Sequence, residues 1–385
     1  MKKIFLTTIT LLSMASASVF GMYGVDTDWI FFLTHGNQFR ARLDQLGFTL
    51  GNDTIKGTFG FDNNTGYGGA YGGLLVDNDP TGKHSSSWVP SISMGLGYTS
   101  SLISVGVGYN ATIGGQTQKF NGKTEPKTVN KSAHTPVLVL NAMDNAFRMA
   151  IPIQVYVDND KRENGGYDNK MAVSVDSQFR YYTGLDALPQ VRLFLRYGLY
   201  QNESKADKDA KKEKQKYAES FGFDFRLYFG SMVEELALQP LVKLAYNQAL
   251  GNYHQDTKVE AVKAMNGDYN SYQSGSYGGS VWDLQLMTGL GLTANSDIVS
   301  LYLEPQLGLA VTSRAPIVGT APGTLQQARV TTESYDLVYN VYAEIYITPL
   351  KNLEWYFEAQ LGSGANQNSL VFNGTTGITW YLPAL

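Results

Sequence analysis

The stretch VRLFLRYGLY, residues 191–200, alternates without a break. Val191, Leu193, Leu195, Tyr197 and Leu199 fall on one face of an extended chain. Arg192, Phe194, Arg196, Gly198 and Tyr200 fall on the other. Period-two alternation reads as a strand with one apolar side. The fold turns on where that side looks: into a protein core, or outward into lipid with both arginines lining a watery interior.

The same two-faced pattern recurs along the chain. Met171, Val173, Val175 and Phe179 oppose Ser174, Asp176, Gln178 and Arg180; Phe221, Phe223, Phe225, Leu227 and Phe229 oppose Ser220, Asp224 and Arg226. Val299, Leu301, Leu303, Leu307 and Leu309 oppose Ser300, Glu304 and Gln306. Tyr335, Leu337, Tyr339, Val341, Ile345 and Ile347 oppose Ser334, Asp336, Asn340 and Glu344. Strands are expected near 53–61, 68–77, 88–98, 101–113, 135–143, 146–158, 169–182 and 189–200, then 218–230, 236–248, 279–293, 297–311, 331–347, 353–362 and 370–382. Many exceed the roughly five or six residues of ordinary sheet strands and reach the roughly 9–11 that cross a tilted bilayer path.

Short connections (99–100, 144–145, 231–235, 294–296, 349–352) take turns with long polar ones (114–134, 159–168, 201–217, 249–278, 312–330, 363–369). An outer-membrane barrel keeps that alternation, with short periplasmic turns and long outer loops. Counting Phe39–Leu50 as the first strand gives about 16 strands, and 14 without the first hairpin; either even count closes an all-β, antiparallel, up-and-down transmembrane barrel with no exposed edge. In so wide a barrel strand side chains alone cannot fill the interior, so the charged face is the lumen and Leu193 and Leu195 face lipid. Tyr98, Tyr181, Tyr246, Trp282, Tyr335, Trp355 and Trp380 fit interfacial girdles. Ahead of the strands, Asp26 or Thr27 can cap a short helix through Trp29, Phe32 and Leu33, with a boundary near Gly36.

Composition fits this architecture. Charged residues are 17% of the 385, below the quarter typical of soluble domains. The formal net charge of −4 comes with no basic stripe, so no nucleic-acid partner is expected. Residues 1–21 carry Lys2 and Lys3, an apolar run from Ile4 to Met14 and small residues after it, which is the pattern of a signal peptide cleaved after Ala17 or Gly21. Residues 22–385 then form the barrel with its outer loops. With no cysteine, a lipid-anchored N-terminus, a disulfide framework and thiolate chemistry are excluded.

The lumen charges divide by position. Arg148, Arg180, Arg192, Arg196, Arg226 and Lys243 lie on the strands from 146 to 248, with Asp176 and Asp224 as acidic neighbours. Asp283, Glu304, Asp336, Glu344, Glu354 and Glu358 lie on those from 279 to 362. A basic wall facing an acidic one would set up a transverse field that orients polar solutes. Among the loops, 201–217 holds six lysines and four acids and reads as a solvated helix or a disordered run. The tyrosines of 249–278 suit a recognition surface for host antibodies or surface ligands, and one long loop folding inward would narrow the pore.

Nothing marks an enzyme. His35, His84, His134 and His254 form no spaced metal signature, no G-x-S-x-G elbow is present, and no cofactor or metal is expected. GVGYNA at 106–111 nearly matches a dinucleotide fingerprint, but it lies within a strand, where its glycines serve close packing or lumen space.

MYGVDTDWIFFLTHGNQFRARLDQLGFTLG at 22–51, the Gly- and Tyr-rich strands and the ending GTTGITWYLPAL resemble the variable surface proteins of spirochaete outer membranes. The resemblance implies an abundant, antigenic, surface-exposed barrel with porin-like activity. The last strand also resembles the C-terminal insertion signal of such barrels, departing from it by running on through Pro383 and Ala384 to Leu385. Two functions are expected on this basis: a channel for passive diffusion of small hydrophilic solutes, or a surface antigen or adhesin for which the barrel is an anchor in outer-membrane lipid. A homo-oligomer is compatible with the sequence, which specifies no interface.

Overall fold

The computed structural model describes residues 23, 29–42, 45–63, 90–117, 128–161, 164–230, 237–251, 254, 256–261, 276–277, 279–314, 317–318, 332–363 and 370–383. After a 3₁₀ turn (Trp29–Phe31), the strands are β1 (Gln38–Arg42), β2 (Gln45–Gly51), β3 (Ile55–Asn63), β4 (Pro90–Tyr98), β5 (Ile103–Thr117) and β6 (Thr128–Ala142). They continue with β7 (Phe147–Lys161), β8 (Tyr167–Tyr182), β9 (Gln190–Lys205), β10 (Glu213–Tyr228), β11 (Ala237–Ala249) and β12 (Ser276–Tyr277). The last six are β13 (Trp282–Asn295), β14 (Val299–Arg314), β15 (Ile317–Val318), β16 (Thr332–Leu350), β17 (Leu353–Ser363) and β18 (Leu370–Tyr381). Apart from β12 and β15, which pair only with each other, these strands form one closed antiparallel barrel in which β1 meets β18. The expected fold is the observed one, with 16 strands in the barrel.

The count is reached with different members. Phe39–Leu50 is not one strand but two, β1 and β2, paired as a hairpin. The sequence carries the reason: outward apolar positions are odd at Phe39 and Ala41 and even at Leu46, Phe48 and Leu50, a phase slip that a single strand cannot make. The strand expected at 68–77 lies outside the described residues; β3 is hydrogen-bonded directly to β4. Residues 1–22, with the expected signal segment, also lie outside them, as do His84 and the short connection 231–235.

Several strands run further than expected. Residues 201–217, read as helix or disorder, mostly continue β9 and β10, with Glu213 opposite Ser204 and Lys216 opposite Gln201. Strand pairing there is reinforced by the Lys212–Glu203 ion pair at 3.4 Å, and Asp207 Oδ1 accepts the N–H groups of Asp209 and Ala210 to close the turn. At the long-loop end the rim is therefore uneven. The wall is low at β1 and β2, with five and seven residues, and high from β5 to β10, with 15 or 16.

Alternation sorts the side chains as the opening stretch implied. Leu195, Tyr197, Phe221, Leu301 and Leu337 are exposed on the outer face, while Ser174, Arg180, Ser220, Asp224 and Glu344 are buried on the inner one. The aromatics Tyr98, Tyr181, Tyr335, Trp355 and Trp380 are likewise exposed outside. No described helix is long and apolar enough to cross a membrane, which leaves strands untouched by that test.

Candidate functional site: the lined lumen

Among the described residues, two segments that are not wall furnish the lumen. The first is the N-terminal piece around the 3₁₀ turn, where Trp29, Ile30, Phe31, Phe32 and Leu33 pack on Val137, Val139 and Ala150. Its bed is made of glycine. A Cβ at Gly108 would lie 2.3 Å from Trp29, and one at Gly97 would lie 2.4 Å from Leu33. Gly106, from the near-fingerprint, is part of that bed. Lys56 Nζ donates to the carbonyls of Leu33 (3.0 Å) and His35, capping the segment.

The second is the segment of the long loop after β11 whose described residues are 254 and 256–261. The Val259 N–H donates to Ser220 Oγ at 2.7 Å and the Ala261 N–H to Ser174 Oγ at 2.8 Å. The Glu219 N–H donates to His254 Nε2 at 2.8 Å. Val259 and Ala261 join Tyr156, Ala172, Tyr200 and Ala218 in a buried cluster. Here too a glycine makes room, since a Cβ at Gly198 would meet the Val259 carbonyl. Among the described residues this is the long-loop segment that folds inward, which the sequence left unspecified.

All twelve expected charges lie on strand positions of the inner parity. Five of the six basic ones form a row of direct cross-strand neighbours: Arg148 opposite Arg180, Arg180 opposite Arg192, Arg192 opposite Arg226, and Arg226 opposite Lys243. Like charges so placed repel, and the surroundings compensate. The Arg180 guanidinium sits 4.4 Å over the Phe31 ring and that of Arg192 4.4 Å over Tyr228. Arg226 donates twice to Asp224, at 2.8 and 2.9 Å, and Lys243 lies 3.6 Å from the same carboxylate. Arg196 stands off this row, paired with Asp176 at 3.0 Å.

The acidic residues are knit to tyrosines. Tyr342 OH lies within hydrogen-bond reach of both Glu344 and Glu358, at 2.9 Å from the latter, and the two glutamates are directly opposed across β16 and β17. Tyr346 OH donates to Glu344, Tyr302 OH to Glu304, and Tyr381 OH to Glu354. Asn247 donates to Asp283 at 2.9 Å, and Asp336 lies opposite Ala310, away from the glutamates. The acidic strands β13, β14, β16 and β17 follow directly after β11 in the barrel order, so the two arcs abut at β11 and β13, and of the acidic strands β17 stands directly across the barrel from a basic one, β7. Across the barrel from β9 lies β1, whose Arg40 and Arg42 sit over the Tyr356 ring at 5.4 and 5.9 Å. These two arginines were passed over because β1 was merged with β2; their inward phase in QFRAR was the available signal.

The histidines are dispersed. His35 binds Tyr23 OH, His134 lies outside against Tyr109 and His254 is in the inward loop. Among the described residues no group of side chains is arranged to hold a metal ion.

A closed barrel with an apolar exterior and charged interior defines the structural class. Residues 2–381 match the family model described as Serpulina hyodysenteriae variable surface protein. The chain belongs to that family of variable surface proteins. No curated protein matches it.

Proposed function

We propose that this protein is a surface-exposed outer-membrane channel through which small hydrophilic solutes diffuse passively. The carrying observation is the inward segment 254–261, held on the lumen side of β8 and β10 by Ser174 and Ser220. A segment so placed narrows a water-filled passage, and the charged rows beside it select among polar solutes. The apolar outer face and its aromatics suit lipid. The role is one of passage, with no catalytic step, and the solutes and outer-membrane lipid are its first partners.

A second reading, in which the loops bind antibodies or host ligands and the barrel is their mount, is supported by the family's description. Conductance of the refolded protein in a planar bilayer separates the two. Discrete, repeatable steps are expected; a folded protein that gives none transfers the function to the loops.

A further inference from the structure

Between the inward segment and the wall lies a cavity of about 160 Å³. Its back is a single row of cross-strand neighbours, Asp176 on β8, Arg196 on β9, Gly222 on β10 and Asn247 on β11. Gly222 supplies the concavity, because a Cβ there would lie 2.3 Å from Asn247 Oδ1. Lys258 and Glu260 of the inward segment, themselves an ion pair, form the front.

Three oxygens of this lining, Asp176 Oδ1, Gln178 Oε1 and Asn247 Oδ1, are buried and have no hydrogen-bond partner among the described residues. For Asn247 the assignment of oxygen and nitrogen is fixed, since Nδ2 is engaged by Asp283. For Asp176 the second oxygen is engaged by Arg196 Nε. Buried acceptors without donors are costly, and all three lack the same thing, an N–H or O–H group.

We propose that this cavity is a binding subsite for a small zwitterion bearing a protonated amine beside a carboxylate, that is, an amino acid. An ammonium brings N–H donors to the charged Asp176 Oδ1, with Gln178 Oε1 two residues along the same strand. The guanidinium of Arg196, in the same lining, is the partner for a carboxylate. Two carboxylates and two cations line the cavity, so neither a net anion nor a net cation is favoured. The subsite deepens the channel reading by naming a solute class, and its binding is measurable without transport.

The test is calorimetric titration of the refolded full chain in detergent with L-serine, lactate, ethanolamine and ribitol, alongside bilayer conductance. Saturable binding of L-serine is expected, with lactate and ethanolamine, each carrying half of its chemistry, binding more weakly. Asp176→Asn should weaken L-serine binding by about tenfold, and Gly222→Ala, which intrudes on Asn247, should weaken it as well. No saturable heat from folded protein, ribitol binding as tightly as L-serine, or folded variants that both bind like the parent would each overturn the subsite. Conductance steps without serine binding leave the channel standing and remove the subsite; serine binding without steps does the reverse.

Discussion

His35 is the residue on which the N-terminal segment turns. Its Nδ1 lies 2.5 Å from Tyr23 OH, and its ring stacks on Phe31. Burial, followed by the positive charges of Arg40, Lys56 and Arg148, pushes its pKa from the usual 6.5 down to about 3. The seated segment thus binds a proton more weakly than a released one. Seating is fully stable above pH 6.5 and weakens as pH falls from 6.5 toward 3. Hydrogen exchange in residues 29–37, corrected for its intrinsic pH dependence, should therefore be faster at pH 4.5 than at pH 7, and His35→Gln should lose that difference. Equal protection at both values would refute it. The glycines under this segment show what sequence does and does not disclose. Gly106 and Gly108 were legible as space on a strand, but Trp29 as the occupant was not, because the two are joined only by tertiary packing.

At the scale of elements, period two revealed strands where one face is apolar and the other polar. It understated them beyond that zone: in β9 and β10 both faces become polar after Tyr200 and before Tyr217, yet backbone pairing continues. The hairpin of β1 and β2 was hidden for a related reason, since the sequence RARLDQ that joins them holds neither glycine nor proline. The inward segment is held by backbone N–H groups, which carry no sequence signature. Its seat is open to prediction. Removing both hydroxyl acceptors with Ser174→Ala and Ser220→Ala costs the docked loop about 2 kcal/mol at roughly 1 kcal/mol per hydrogen bond. Single-channel records of the double variant should show greater open-channel noise and larger mean conductance; unchanged records from folded protein would mean that the segment is held by other contacts.

For the whole molecule, the face assignment was legible from alternation alone, and every expected lumen charge has the inner parity. Their arrangement around the barrel was not, since neighbours on a closed sheet are fixed by strand order and shear. With the basic and acidic arcs adjoining at β11 and β13, the lumen has a graded lining, mainly positive on β7 to β11 and negative on β13 to β17. Replacing Arg192, Arg196 and Arg226 with glutamine leaves Asp176 and Asp224 without their arginine partners. Reversal potentials under a salt gradient should shift toward cation selectivity, and an unchanged potential in a folded variant would remove these residues from the selectivity of the pore.

The closure of the barrel rests on the five residues of β1. Arg40 donates to Thr379, Arg42 to Thr375, and Asn37 accepts the Leu382 N–H while donating to the Pro383 carbonyl. So short a join acts as a latch between the first strand and the last, bringing Arg40 and Thr379 together across 339 residues of chain. Without it, β1 and β18 would each present an open edge of unpaired backbone groups.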